Sequence, residues 1–111
     1  MKLVTKEQDN FKIFQIEGKI LSDDDSTMLM QEIDINSCWN ILFDLDQLHY
    51  ITSVGISFFV KSMTRARIHG GEILLMNLNK KVSDLFQITK LDQIFPIVEN
   101  LQEAKKFFKE N

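Results

Sequence analysis

The stretch that most constrains the fold runs from Trp39 to Val60. Trp39-Asn40-Ile41-Leu42-Phe43-Asp44-Leu45 shows little polar alternation until Asp44, as expected of a central strand covered on both faces. Residues 46–51 read as a short connection. From Thr52-Ser53 onward apolar residues return at helical spacing, which predicts a helix from Ser53 to about His69. Gly70-Gly71 is a natural left-handed stop, and Glu72-Ile73-Leu74-Leu75-Met76 reads as the next strand. Strand, helix and strand at this spacing predict a parallel unit with a right-handed crossover.

The flanking segments extend the alternation. Phe11, Ile13 and Ile16 lie among Lys12, Gln15 and Glu17, so a strand with one face in the core is expected there. It pairs with Leu3-Val4-Thr5 through a turn at Asp9-Asn10, and Gly18 breaks the pattern. Ser22-Asp23-Asp24-Asp25 is a helix-start signal for a helix that carries Met28, Leu29 and Ile33 inward and ends near Asn36-Ser37. Asn77 or Asn79 caps a third helix whose apolar side is Val82, Leu85, Phe86 and Ile88. Ile94-Phe95-Pro96-Ile97-Val98 is a short edge strand, because proline lacks an N–H for a central ladder. Asn100 caps a last helix with Leu101, Ala104 and Phe108 facing the core. The order is two strands, helix, strand, helix, strand, helix, strand, helix. That order predicts an α/β domain with a mixed, partly parallel sheet and about four helices.

With 111 residues, 44% of them hydrophobic, the chain is expected to form one domain over positions 1–111, without disulfide or metal. The net charge of −3 argues against nucleic acid as the main partner. Cys38 is the only cysteine, so no intrachain disulfide or Cys/His metal cluster is available and a reducing, cytoplasmic location is expected. Met1-Lys2-Leu3-Val4-Thr5-Lys6-Glu7 carries charge too early for a secretory signal. No apolar run approaches the roughly 20 residues of a membrane helix, so no membrane insertion is expected.

Candidate chemistry gathers at Ser53. Its position at or beside the helix start leaves two roles open. It can cap the helix with its hydroxyl. It can also act as a phospho-acceptor, since a helix N-terminus tolerates the roughly −1.5 to −2 charge of a phosphate. Nucleophilic catalysis is not indicated: Gly-x-Ser-x-Gly is absent, and the two histidines, His49 and His69, form no pattern with a carboxylate. No phosphate-cradling glycine loop or other cofactor motif appears, so no enzyme activity is expected. Helical steps of about 100° place Ile56, Phe59, Val60, Met63 and Ala66 on the core side and leave Val54 and Phe58 outward, with Lys61 and Arg65 beyond. Val54, Gly55, Phe58 and Lys61 then form a protein-docking patch, the alternative being scattered surface hydrophobics. Asp23 and Asp24 are either a solvated first turn or an acidic rim to the same site.

Taken together, these pieces resemble the STAS-domain family of anti-sigma-factor antagonists. The resemblance runs through the strand ending in Gly18, Ile41-Leu42-Phe43-Asp44-Leu45, Ile51-Thr52-Ser53-Val54-Gly55-Ile56 and the Gly-Gly turn before Glu72. It continues through Val82-Ser83-Asp84-Leu85-Phe86 to the segment from Ile94 to Ala104. Each piece is short, and their order makes the match specific. The family motif reads Asp-Ser-Ser/Thr-Gly, and aligning its glycine with Gly55 makes Ser53 the implied phospho-acceptor. Thr52 then stands where the family has aspartate, and Val54 where it has a second hydroxyl; Thr52 is a secondary acceptor. The resemblance implies a non-enzymatic switch that binds an anti-sigma factor/serine kinase when Ser53 is unmodified and is reset by a serine phosphatase. It equally accommodates a constitutive scaffold in a signalling or transport assembly, or a small-ligand module.

Overall fold

The computed structural model describes residues 1–110. Its strands are β1 (Lys2–Glu7), β2 (Lys12–Ile20), β3 (Asn40–Asp44), β4 (Leu48–Ile51), β5 (Glu72–Met76) and β6 (Ile97–Val98). The helices are α1 (Asp23–Asn36), α2 (Ser53–Ile68), α3 (Lys80–Ile88) and α4 (Leu101–Glu110), with a 3-10 turn at Leu91–Gln93. The sheet order is β1-β2-β3-β5-β6, with β4 beside the end of β2. Only β1 and β2 are antiparallel; the other pairings are parallel, so the sheet is mixed as expected.

The central strands bury both faces, and alternation sorts their side chains between two cores. Ile41, Phe43, Ile73 and Leu75 join Leu29 and Ile33 of α1, Phe58, Phe59 and Met63 of α2, and Val82 and Phe86 of α3. Leu42, Leu74, Met76 and Val98 face the opposite way, onto Ala104 and Phe108 of α4. Strand β2 was expected to bury one face; it buries both, with Phe14 and Ile16 in the first core and Ile13 in the second, where Phe11, just ahead of the strand, joins it. The reason is its place in the sheet: β3 continues it on one side and α4 covers its back, where Phe11 stacks on Phe108 at 4.7 Å.

Local signals hold at most helix ends. Asn79, not Asn77, caps α3 by accepting from Val82 N at 2.9 Å, and Asn100 accepts from Glu103 N at 3.0 Å. Gly70 supplies the left-handed turn after α2 with φ 78°. Gly71 serves close approach instead, since a Cβ there would come within 2.0 Å of the Trp39 carbonyl oxygen.

Four further expectations need correction. Residues 48–51 are not a plain connection but strand β4, paired with β2 across a register shift at Gly18/Lys19. Met28 and Ile88 point outward, since the inner faces of their helices are filled by Leu29 and Ile33 and by Val82 and Phe86. The edge strand shrinks to Ile97–Val98, because Phe95 turns down into the first core and only the Pro96 carbonyl continues the ladder, accepting from Leu75 N at 3.0 Å.

The fourth concerns Phe58, expected on the outer face of α2 and found 0% exposed. It packs edge-on to Phe43 at 5.9 Å and Phe59 at 5.2 Å. The core-facing arc of α2 is Gly55, Phe58, Phe59, Ser62, Met63 and Ala66, while Val60 is exposed. A polar residue inside the arc explains the rotation: Ser62 is buried because its hydroxyl donates to the Phe59 carbonyl at 2.8 Å within its own helix. Counting only apolar side chains puts Val60 in its place.

Candidate functional site

Parallel pairing of β2 and β4 brings their carboxyl ends side by side, Ile20 against Ile51. Each strand leads at once into a helix, so the first turns of α1 and α2 start next to each other. Main-chain bonds fix this junction, Thr52 N donating to Ile20 O at 3.1 Å.

Thr52 is the N-cap of α2, with extended backbone and its hydroxyl accepting from Val54 N at 3.3 Å. The same hydroxyl lies 3.4 Å from the carbonyls of both Ile20 and Leu21, to which it donates. Capping therefore falls to Thr52, one residue earlier than Ser53. Ser53 is the first helical residue and exposed, and its hydroxyl has no hydrogen-bond partner among the described residues. Gly55 is buried under the turn rather than part of an outer patch; a Cβ there would meet Ile51 Cβ at 2.7 Å and Ile20 Cβ at 3.3 Å. Glycine at this position lets α2 start flush against both strand ends.

The acidic run divides by role. Asp25 closes a capping box with Ser22: its Oδ2 accepts from Leu21 N at 3.0 Å and Ser22 N at 3.2 Å, while Ser22 Oγ accepts from Asp25 N at 3.2 Å. The Leu21 amide bond chiefly holds the Asp25 carboxyl below its ordinary value, against an opposing desolvation and with help from the Ser22 amide and hydroxyl. Asp23 faces the α2 side, lining with Ser26, Ser53, Val54, Ser57 and Lys61 a shallow hollow of about 360 Å³. Asp24 is exposed but does not line it.

The structure thus brings together Asp23, Ser53, Val54 and Lys61, and leaves out Asp24, Gly55 and Phe58. Ser26 and Ser57 escaped the sequence reading. Ser57 follows Ser53 by one helical turn, a spacing that could have found it; Ser26 enters only because α1 packs on α2. That packing includes an ion pair in which Arg65 Nη1 donates to both Asp34 carboxylate oxygens at 2.7 and 2.9 Å. Among the described residues no group of three or more His, Cys, Asp or Glu is placed to hold a metal ion, and no helix is long and apolar enough to cross a membrane.

Known proteins resemble this chain in sequence or in fold. BtrV of Bordetella bronchiseptica, named among the anti-sigma factor antagonists, is 30% identical over 69 residues, or 62% of this chain; the match spans 60% of BtrV's length. A Thermotoga maritima protein described as an anti-sigma factor antagonist superposes with a TM-score of 0.87 at 19% identity, over 96% of this chain and 94% of that one. The unphosphorylated anti-sigma factor antagonist SpoIIAA superposes with a TM-score of 0.82 at 14% identity, over 99% and 98%. At these identities the two structures speak for the fold alone. The STAS domain model matches residues 2–104, nearly the whole of the described chain, and with the fold above it shows that this chain belongs to the STAS-domain family.

Proposed function

We propose that the chain is a protein-binding switch of the anti-sigma-factor-antagonist kind, set by phosphorylation of Ser53. The observation that carries this reading is the division of labour at the start of α2: Thr52 caps the helix, and the adjacent Ser53 hydroxyl is exposed and unengaged. Phosphate on Ser53 leaves the cap intact. Thr52 is the poorer acceptor, because its hydroxyl is already committed to Val54 N and to the carbonyls of β2. The unmodified face, with Asp23, Val54 and Lys61 around Ser53, binds an anti-sigma factor/serine kinase, and a serine phosphatase restores it; the chain performs no chemistry itself.

A phosphate adds about −1.5 to −2 charge at a hollow that already holds Asp23. Like charge set into a complementary interface costs several kcal/mol, and each 1.4 kcal/mol is about tenfold in affinity. The experiment has two parts. Intact mass of the protein from its own cells, with and without phosphatase, should show an added mass of roughly 80 Da that maps to Ser53. Ser53→Asp should then weaken, and Ser53→Ala preserve, binding of the kinase that modifies it. Equal binding by both variants would sink the switch. A second reading rests on Thr52 standing where the family motif has an acid: the chain is then a constitutive scaffold, and Ser53 carries no phosphate under any growth condition.

A further inference from the structure

The hollow beside Ser53 holds more polar capacity than the fold uses. Ser26, Ser53 and Ser57 line it, and none of the three hydroxyls has a hydrogen-bond partner among the described residues. Its charged groups are one of each sign, Asp23 on the α1 side and Lys61 on the α2 side, and neither belongs to an ion pair among the described residues. Lys61 differs in this from the other cations of its helix. Arg65 grips Asp34 at 2.7 Å, and Arg67 reaches Glu72 at 3.5 Å and donates to Ile94 O at 3.3 Å.

Spacing orders the α2 groups. Ser53, Ser57 and Lys61 follow one another at four-residue steps, each about 6 Å further along the helix. Helical side chains lean toward the N-terminus, over the turn that precedes their own Cα. The long Lys61 chain therefore reaches back across Ser57, and a phosphate carried on the rotatable Ser53 Oγ can swing toward the same hydroxyl. Asp23 opposes such a phosphate from across the hollow. It is, however, the first residue of α1, where the positive end of the helix dipole offsets its charge. The other acids nearby are engaged or turned away: Asp25 in its capping box, Asp34 with Arg65, and Asp24 outside the hollow. One full cation and free hydroxyl donors thus outweigh one partly offset carboxylate.

We infer that a phosphate on Ser53 is latched back onto its own helix, held by the Lys61 ammonium and the Ser57 hydroxyl instead of projecting into solvent. Resting on Ser53 as the phospho-acceptor, the latch defines how the modification works: it withdraws the free cation of this face as well as adding an anion. Lys61 and Asp23 sum to zero before modification, and the face then carries a net charge of about −1.5 to −2.

Phosphoserine placed at position 53 of the full chain by genetic encoding tests the latch without any kinase. The probe is the phosphorus NMR signal of that residue, followed against pH. A nearby cation favours the doubly charged phosphate, so Lys61→Ala should raise the midpoint of its second ionisation by about 0.5–1 unit, while Lys61→Arg keeps it. Ser57→Ala should raise the midpoint by less, and Asp23→Asn, which removes the opposing charge, should lower it. All three positions are exposed, and circular dichroism confirms that each variant keeps the fold. The start of α2 lowers the wild-type midpoint with or without a latch, so the dependence on position 61 decides. A Lys61→Ala protein that titrates as the wild type overturns the latch, as does a Lys61→Arg protein that titrates as Lys61→Ala. A midpoint that ignores position 57 removes the hydroxyl from it. Because the phosphoserine is installed, a failed latch leaves the switch at Ser53 standing; a Ser53 that carries no phosphate in its own cells fails the switch and leaves this titration unchanged.

Discussion

Replacing Phe58 by alanine separates its two assignments, outer docking residue and core residue, with one measurement. At 0% exposure and in edge-on contact with Phe43 and Phe59, Phe58 loses its whole ring from a filled core. Buried phenylalanine-to-alanine changes cost about 3–5 kcal/mol, combining lost transfer energy with the cavity left behind. Each of the two ring contacts is worth about 0.5–1.5 kcal/mol beyond buried area, which favours the upper half of that range. Against a total stability of about 5–15 kcal/mol this is a large fraction. The unfolding midpoint of a domain this size should fall by about 10–20 °C. Thermal and urea unfolding followed by circular dichroism check it, with half-buried Val54→Ala as the control expected to cost less. A Phe58→Ala protein within about 1 kcal/mol of wild type would refute the packing assigned to this helix.

Two further perturbations probe the helix starts. Thr52→Val keeps the shape but loses the cap, so urea unfolding should show a loss of about 1 kcal/mol, while Thr52→Ser stays close to wild type. For Asp25 the folded carboxyl lies below its unfolded value, so its contribution is present above the unfolded range near pH 4 and is lost as pH falls through the lower folded value. Asp25→Asn should therefore flatten the stability profile on the acid side of about pH 4, and an unchanged acid limb would count against the capping box.

What could be read from the sequence was whatever local chemistry decides. The caps at Ser22 and Asn100 work through side chains bonding the amide three residues on, so spacing along the chain suffices, whereas for α3 it left Asn77 and Asn79 both open and the structure decides for Asn79. Strands β3 and β5 declare themselves because burial on both faces demands continuous apolar residues. Strand β4 did not, since it exists through pairing with Gly18–Ile20, some thirty residues earlier, across a register shift no local pattern encodes. Phe58 was misplaced for an energetic reason: a serine that satisfies its own hydroxyl enters a core at little cost, and hydropathy alone cannot see it. The hollow at Ser53 was legible along α2, and across to α1 only as one of two readings of Asp23; Ser26 arrives by tertiary packing alone.

The residue at position 52 binds these levels together. A hydroxyl both donates and accepts, whereas an ionised carboxylate only accepts. Here the Thr52 hydroxyl accepts from Val54 N, and its proton is directed at the carbonyls of Ile20 and Leu21. An ionised aspartate in the same place would keep the first bond and set its second oxygen against two carbonyl dipoles. Threonine is therefore matched to the way β2 enters α1 in this chain. The same bonds join the start of α2 to the lead-in of α1, so Ser53 and Asp23 are held across one hollow by a common anchor.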